Sequence, residues 1–154
     1  MLIGSIALIL HILSAVIWVG GMFFALVVLR PATGPLDAAA RLGLWLRVFD
    51  RFFAWVLAAI VVLLLSGFAM IFSLFGGFVG LRLYVDLMML IGIVMMMLFL
   101  HLYFAPWKRF RAAMTAGDSA AAAAQLSQIR IIVTINLILG LVTVAIGSSG
   151  RYWS

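Results

Sequence analysis

The residues of this sequence that could carry chemistry are three ionisable side chains inside long apolar runs: His11, Asp86 and His101. An ionisable group in a lipid environment is costly, and it is therefore a candidate functional residue by default. Imidazole is a common ligand of transition metals and of haem iron. Asp86 follows Arg82 by one helical turn, and an ion pair between these two residues is the more conservative interpretation of the carboxylate.

Methionine thioethers accompany both histidines. Counting ~1.5 Å of rise per residue from the middle of each apolar run places the two histidines about 16 Å apart in depth. One metal ion is therefore not expected to bind both histidines of a single chain. Imidazole and thioether ligands together suit Cu(I), whereas ions that prefer oxygen would find few donors here. The predicted metal ligands are His11 with Met70, Met88 and Met89 in one half, and His101 with Met22 and Met97 in the other.

Each of these residues also has a purely structural interpretation. Methionine fills irregular gaps between helices, and an imidazole in lipid can be satisfied by a hydroxyl, an amide or a backbone carbonyl. In the first apolar run, His11, Ser14, Trp18 and Met22 recur at spacings of three or four residues. This stripe is predicted to face the other helices. The sequence leaves open whether the histidines bind a ligand or are only hydrogen-bonded.

The elements that must position these residues are four long apolar runs. Of the 154 residues, 68% are hydrophobic and only 9% are charged, whereas about a quarter of a soluble domain is charged. Each run reaches the ~20 residues that cross a bilayer as a helix. The sequence therefore predicts one all-α domain over residues 1–154, an integral membrane four-helix bundle of up-down topology. Its spans are predicted at about 2–29, 52–76, 84–105 and 129–149.

Residues 36–51 form a separate feature ahead of the second predicted span. This segment mixes leucine, tryptophan and phenylalanine with three arginines. The mixture is typical of an amphipathic helix that lies on a membrane surface. An alternative is that the segment simply extends the second helix toward its N-terminus.

Basic residues are distributed unevenly between the two faces of the predicted bundle. Two of the ten, Arg82 and Arg151, lie on the face that carries both termini. The other eight follow the first and third runs, and they are Arg30, Arg41, Arg47, Arg51, Lys108, Arg109, Arg111 and Arg130. Cytoplasmic connections carry the excess of Lys and Arg, so both termini are predicted to lie outside the cytoplasm.

Several classes of function are excluded or disfavoured. The chain has no cysteine, which excludes thiolate metal sites and disulfides. No hydrolase triad, phosphate loop, carboxylate pair or nucleotide fingerprint is found, so an enzyme is not favoured. The positive charge belongs to short connections, which predicts contact with the lipid bilayer and no nucleic-acid partner. The sequence leaves open whether the chain forms a homodimer or joins partner membrane proteins.

Short apolar motifs in this sequence resemble the CopD (copper resistance protein D) membrane domain. The motifs that carry the resemblance are residues 10–13 (LHIL), 18–23 (WVGGMF), 29–31 (LRP) and 101–106 (HLYFAP), with Asn136 and Gly140. The resemblance covers most of the chain. It implies a protein of the bacterial inner membrane that is associated with copper binding, transport or resistance.

A more distant resemblance is to the HemJ-type protoporphyrinogen oxidases, to whose pattern His11, His101 and Arg130 can be matched. This resemblance implies haem b as an alternative cofactor, with a role in electron transfer or porphyrin oxidation. His11 and His101 would then be the cofactor-binding residues. Arg30 would either anchor its helix at the interface or hold a propionate or an anionic headgroup. A third hypothesis is a structural subunit that binds no cofactor.

Overall fold

The computed structural model describes residues 2–153, and within that range every regular element is helical. Four long helices follow one another: α1 (Leu2–Ala32), α2 (Ala38–Leu74), α3 (Leu83–Thr115) and α4 (Ser119–Tyr152). Each is long and apolar enough to cross a membrane. The predicted all-α class with four spanning helices is therefore confirmed. We call the end that holds the connections 33–37 and 116–118 the basic end, and the opposite end, near Leu2 and Trp153, the terminal end.

The helices are longer than the apolar runs because their polar extensions are also helical. Asp37 caps α2, since its carboxylate accepts a hydrogen bond from Ala40 N at 2.8 Å, and Asp118 caps α4 through Ala121 N at 2.9 Å. Such caps satisfy backbone donors in the first turn of a helix. From residue 38 onward the amphipathic segment is therefore the first part of α2. This is the alternative in which the segment extends the second helix toward its N-terminus. The alanine run at 120–124 likewise belongs to α4.

Two prolines, Pro31 and Pro106, lie within the helices α1 and α3. In α1 a π-helical stretch (Phe24–Leu29) comes directly before Arg30 and Pro31, and in α3 a similar stretch (Tyr103–Trp107) contains Pro106. Proline lacks the backbone N–H that an α-helix needs and its ring clashes with the carbonyl one turn earlier. A local π-turn absorbs the mismatch. The α3 helix therefore continues to Thr115, well past the predicted end of its span at 105, whereas α1 ends at Ala32, one residue after Pro31.

Close contacts at glycines fix how the helices pack. Gly4 faces Leu74 and Gly21 faces Phe52, which aligns α1 antiparallel to α2. Met88 packs over Gly147 in the same way and aligns α3 with α4. The two pairs meet at Gly140 of α4, where a Cβ would lie 2.8 Å from Val19 of α1 and 3.2 Å from Met95 of α3. Small residues allow helices to approach closely in lipid.

The best-packed part of the bundle is an aromatic cluster toward the basic end. Phe53 is 1% exposed and stacks on Phe49 with a centroid distance of 4.9 Å. It also meets Phe99 and Trp107 edge-on at 5.5 and 5.3 Å. Trp45 extends the cluster from Phe49. By contrast, many large apolar side chains elsewhere are exposed, which is the arrangement expected of helices that face lipid.

Candidate functional site

The site with the clearest geometry lies between α1 and α2, around His11. Its Nδ1 atom is 3.0 Å from the hydroxyl oxygen of Ser66. The ring packs against Gly67, where a Cβ would lie 3.5 Å from the imidazole Cε1. His11 is half-buried, and Ser66 is only 4% exposed. The Ser66-Gly67 pair thus supplies both a polar partner and the space for the ring.

The hydrogen bonds of Ser66 determine which nitrogen of His11 is free. Ser66 Oγ donates to the carbonyl oxygen of Val62 at 2.6 Å, as serine hydroxyls in helices often do. A hydroxyl has a single proton, so the proton between Ser66 and His11 must come from the imidazole. Nδ1–H therefore donates to Ser66 Oγ, and Nε2 keeps its lone pair. A neutral imidazole with one nitrogen held in this way is in the state that a metal ligand requires.

The other members of the predicted stripe on α1 lie inside the bundle. Ser14, Trp18 and Met22 are 6%, 2% and 2% exposed. Trp18 meets Phe99 of α3 edge-on with a centroid distance of 6.1 Å. The stripe therefore faces the other helices, as its spacing predicted.

The methionines grouped with His11 fall at or near its depth. His11 is eight residues from Val19, and Met88 is seven residues from Met95, while Val19 and Met95 meet at Gly140. With ~1.5 Å of rise per residue, His11 and Met88 therefore lie at nearly the same depth. Met70 lies one turn beyond Ser66, and Met88, Met89 and Met70 are all half-buried. His11 nevertheless belongs to the α1–α2 pair and Met88 to the α3–α4 pair.

The second predicted group is divided between two environments. Met22 is 2% exposed and points into the bundle, whereas Met97 is 64% exposed. His101, one turn from Met97, is exposed as well. The opposite face of α3 is the buried one, where Met95, Phe99 and Leu102 pack. The structure therefore does not bring His101 and Met97 together with Met22 in one buried cluster.

Asp86 and Arg82 do not form the ion pair that their spacing suggested. Asp86 is exposed, and in the part of the chain that the structure describes neither residue has a salt bridge. The interaction between them is a backbone one, from Asp86 N to the Arg82 carbonyl at 3.3 Å. Among residues 2–153 no three His, Asp or Glu side chains are grouped as a metal site would require.

Arg30 lies in a different part of the molecule from His11. It lines a pocket of about 280 Å³ at the basic end together with Arg41, Arg130 and Ser119. The 19 residues between His11 and Arg30 correspond to about 28 Å along α1, so a single cofactor would not contact both. Neither this pocket nor a smaller one beside it includes either histidine. The haem alternative stays a prediction without support from this geometry.

Sequence reasoning overlooked Ser66 and did not group the three arginines of this pocket. The signal for Ser66 was present, because a serine and a glycine interrupt the apolar run of α2 at the depth of His11. Arg41 was counted only as a charge. Arg30 was considered by itself as an anchor or as the holder of a propionate or headgroup, and Arg130 only as a match to the HemJ pattern. Their convergence depends on how α1, α2 and α4 come together.

The sequence model of the family described as copper resistance protein D (CopD) matches residues 46–149. No curated protein and no solved structure matches the chain. The matched segment includes Ser66, Met88 and His101, whereas His11 lies outside it.

Proposed function

Because the chain belongs to the CopD family of copper resistance membrane proteins, we propose that it binds Cu(I) within its helix bundle through Nε2 of His11. The chain is a multi-pass membrane protein, and its family relates it to copper resistance. The proposed part is that the chain itself binds copper, and that His11 and nearby methionines are the ligands.

The observation that carries the proposal is the hydrogen bond from His11 to Ser66. It holds the ring in one orientation and places the proton on Nδ1, so that Nε2 can bind a metal without first losing a proton. Metal-binding histidines usually donate their second N–H to a neighbouring oxygen in this manner. A half-buried imidazole with this partner therefore fits the donor that a Cu(I) site needs.

Thioethers would complete the site. Met88 shares the depth of His11, and Met70 and Met89 are half-buried close to that depth. Methionine side chains are flexible, and their sulfur atoms are soft ligands that favour Cu(I) over oxygen-preferring ions. We propose Met88 as the first thioether ligand, with Met70 or Met89 as the second.

The role proposed for His101 is narrower. His101 and Met97 share the exposed face of α3, so they would bind copper only with a ligand from a second copy or a partner membrane protein. A copper ion passing from the His11 group to this one would cross the bundle toward the basic end. Because basic residues are concentrated at that end, we propose that it faces the cytoplasm. We further propose that the membrane is the bacterial inner membrane.

Cu(I) titration of the detergent-purified protein tests the proposal. The titration is run without oxygen against a coloured Cu(I) chelator, with wild type, His11→Ala, His101→Ala and the double variant. The proposal predicts one tightly bound Cu(I) per wild-type chain and at least a tenfold weaker affinity in His11→Ala, because the imidazole supplies the main ligand. His101→Ala, which changes the other histidine, should leave the Cu(I) affinity of the His11 site unchanged in an isolated chain. Unchanged stoichiometry and affinity in the double variant would overturn the proposal.

A further inference from the structure

The pocket at the basic end is lined by three arginines from three helices. Arg30 comes from the end of α1, Arg41 from the second turn of α2 and Arg130 from α4. Its volume is about 280 Å³, and Ser119, the first residue of α4, lies at its edge. The apolar floor is provided by residues that are almost fully buried, Leu42 and Leu126.

The positive charge of this pocket is not neutralised by ion pairs. Arg30 and Arg41 both interact electrostatically with Arg130, and in residues 2–153 none of the three pairs with a carboxylate. Two carboxylates lie near the pocket, Asp37 and Asp118, but each accepts a hydrogen bond from the first turn of the helix that it caps. Three like charges around one cavity repel one another unless an anion occupies it.

Arg130 is held beside the pocket by an aromatic ring. Its guanidinium lies over the ring of Trp45, with the Cζ atom 5.4 Å from the ring centroid. This cation–π contact fixes the plane of the guanidinium. The Nε atom of Arg130 is buried and has no hydrogen-bond partner among the described residues. An unpaired buried donor of a charged group is expensive, and an anion bound beside this guanidinium would offset part of that cost through its charge.

We propose that this pocket binds a phosphate-bearing anion. Guanidinium groups match the oxygen geometry of phosphate with paired hydrogen bonds, and three of them can surround a tetrahedral anion. The Ser119 hydroxyl, which has no hydrogen-bond partner in the described part of the chain, adds a neutral donor. The phosphate could belong to the headgroup of an anionic phospholipid or to free inorganic phosphate. This inference is independent of copper binding, because the pocket is about 28 Å along α1 from His11.

Two double variants test the proposal with the same change in net charge. Arg30→Gln combined with Arg41→Gln removes two pocket arginines and leaves the Arg130–Trp45 contact in place. Arg47→Gln combined with Arg51→Gln is the matched control, since both are exposed residues of α2 that do not line the pocket. Each protein is purified in neutral detergent, stripped of lipid, and mixed with phosphatidylglycerol or phosphatidylcholine. Bound lipid is counted by native mass spectrometry, with and without inorganic phosphate as competitor.

The expected result is one phosphatidylglycerol per wild-type chain and little phosphatidylcholine. The pocket variant should bind phosphatidylglycerol at least about tenfold more weakly, whereas the control should stay within about twofold, because only the pocket variant loses charge-assisted hydrogen bonds. Displacement of the lipid by inorganic phosphate identifies free phosphate as the ligand, and lack of displacement identifies the lipid headgroup. Equal losses in the two variants, or equal binding of the two lipids, would overturn the proposal.

Discussion

Nδ1 of His11 lies 3.0 Å from Oγ of Ser66, and this hydrogen bond joins residues that are 55 positions apart on adjacent helices. The Ser66 hydroxyl itself donates a hydrogen bond to the carbonyl oxygen of Val62 in the same helix. The imidazole must then be the donor to Ser66, and its second nitrogen is left free. One hydroxyl thus determines both the orientation and the tautomer of the residue that we propose as the principal copper ligand.

Replacing Ser66 by Ala should therefore weaken Cu(I) binding without removing any ligand. The imidazole would lose the acceptor that fixes its ring, and changes of this kind typically lower metal affinity by about 10- to 100-fold. Competition titration with a Cu(I) chelator measures the change. Ser148→Ala is the control, because Ser148 is exposed and bonds only to Ala145 of its own helix. Equal affinities in the two variants would show that Ser66 does not position the ligand.

Gly140 should tolerate no side chain, because α1, α3 and α4 converge on it. An added Cβ would lie 2.8 Å from Val19, whose branched side chain has little freedom to move. Overpacking of this kind costs about 1–3 kcal/mol. Gly92→Ala is the matched control, because a Cβ there would meet nothing within 4 Å. Unfolding in detergent followed by circular dichroism should show a lower midpoint for Gly140→Ala and no decrease for Gly92→Ala.

Phe53→Ala should be the most destabilising change in the aromatic cluster. Phe53 is 1% exposed and contacts rings from α2 and α3, so its removal leaves a cavity between the two helix pairs. A loss of about 3 kcal/mol is expected for a cavity of that size. Phe23→Ala provides the comparison, since Phe23 is 47% exposed. Similar unfolding midpoints for the two variants would mean that the cluster does not hold the pairs together.

The orientation of the bundle can be measured directly, since the chain has no cysteine of its own. Single cysteines at Pro35 and Val79 would report on opposite ends, and Val79 is 97% exposed. If the basic end is cytoplasmic, a membrane-impermeant maleimide should label Val79→Cys in spheroplasts and should label Pro35→Cys only after lysis. The reverse pattern would invert the orientation that the charge distribution predicts.

The sequence alone determined the class of this protein. Four apolar runs with very few charges can form stable structure only as membrane-spanning helices, because every backbone polar group in lipid must be paired within its own segment. The match to the CopD family over residues 46–149 confirms the resemblance that was inferred from short motifs. The motifs at 101–106, Asn136 and Gly140 lie inside the matched segment, whereas those of α1 lie outside it.

The tertiary structure decided which faces of the helices meet. In water the buried face of a helix is apolar and the exposed face polar, but in lipid both faces are apolar, so the pattern along the chain has little contrast. For this reason the sequence could predict that His101, Met97 and Met22 lie at similar depths, but it could not predict which way they face. In the structure Met22 is buried, whereas His101 and Met97 are exposed. The partnership of His11 with Ser66 and the convergence of three arginines likewise depend on helix rotation and register. The rise per residue allows the depth of a residue in the membrane to be calculated from the sequence, whereas only the packing between helices determines which way its side chain faces.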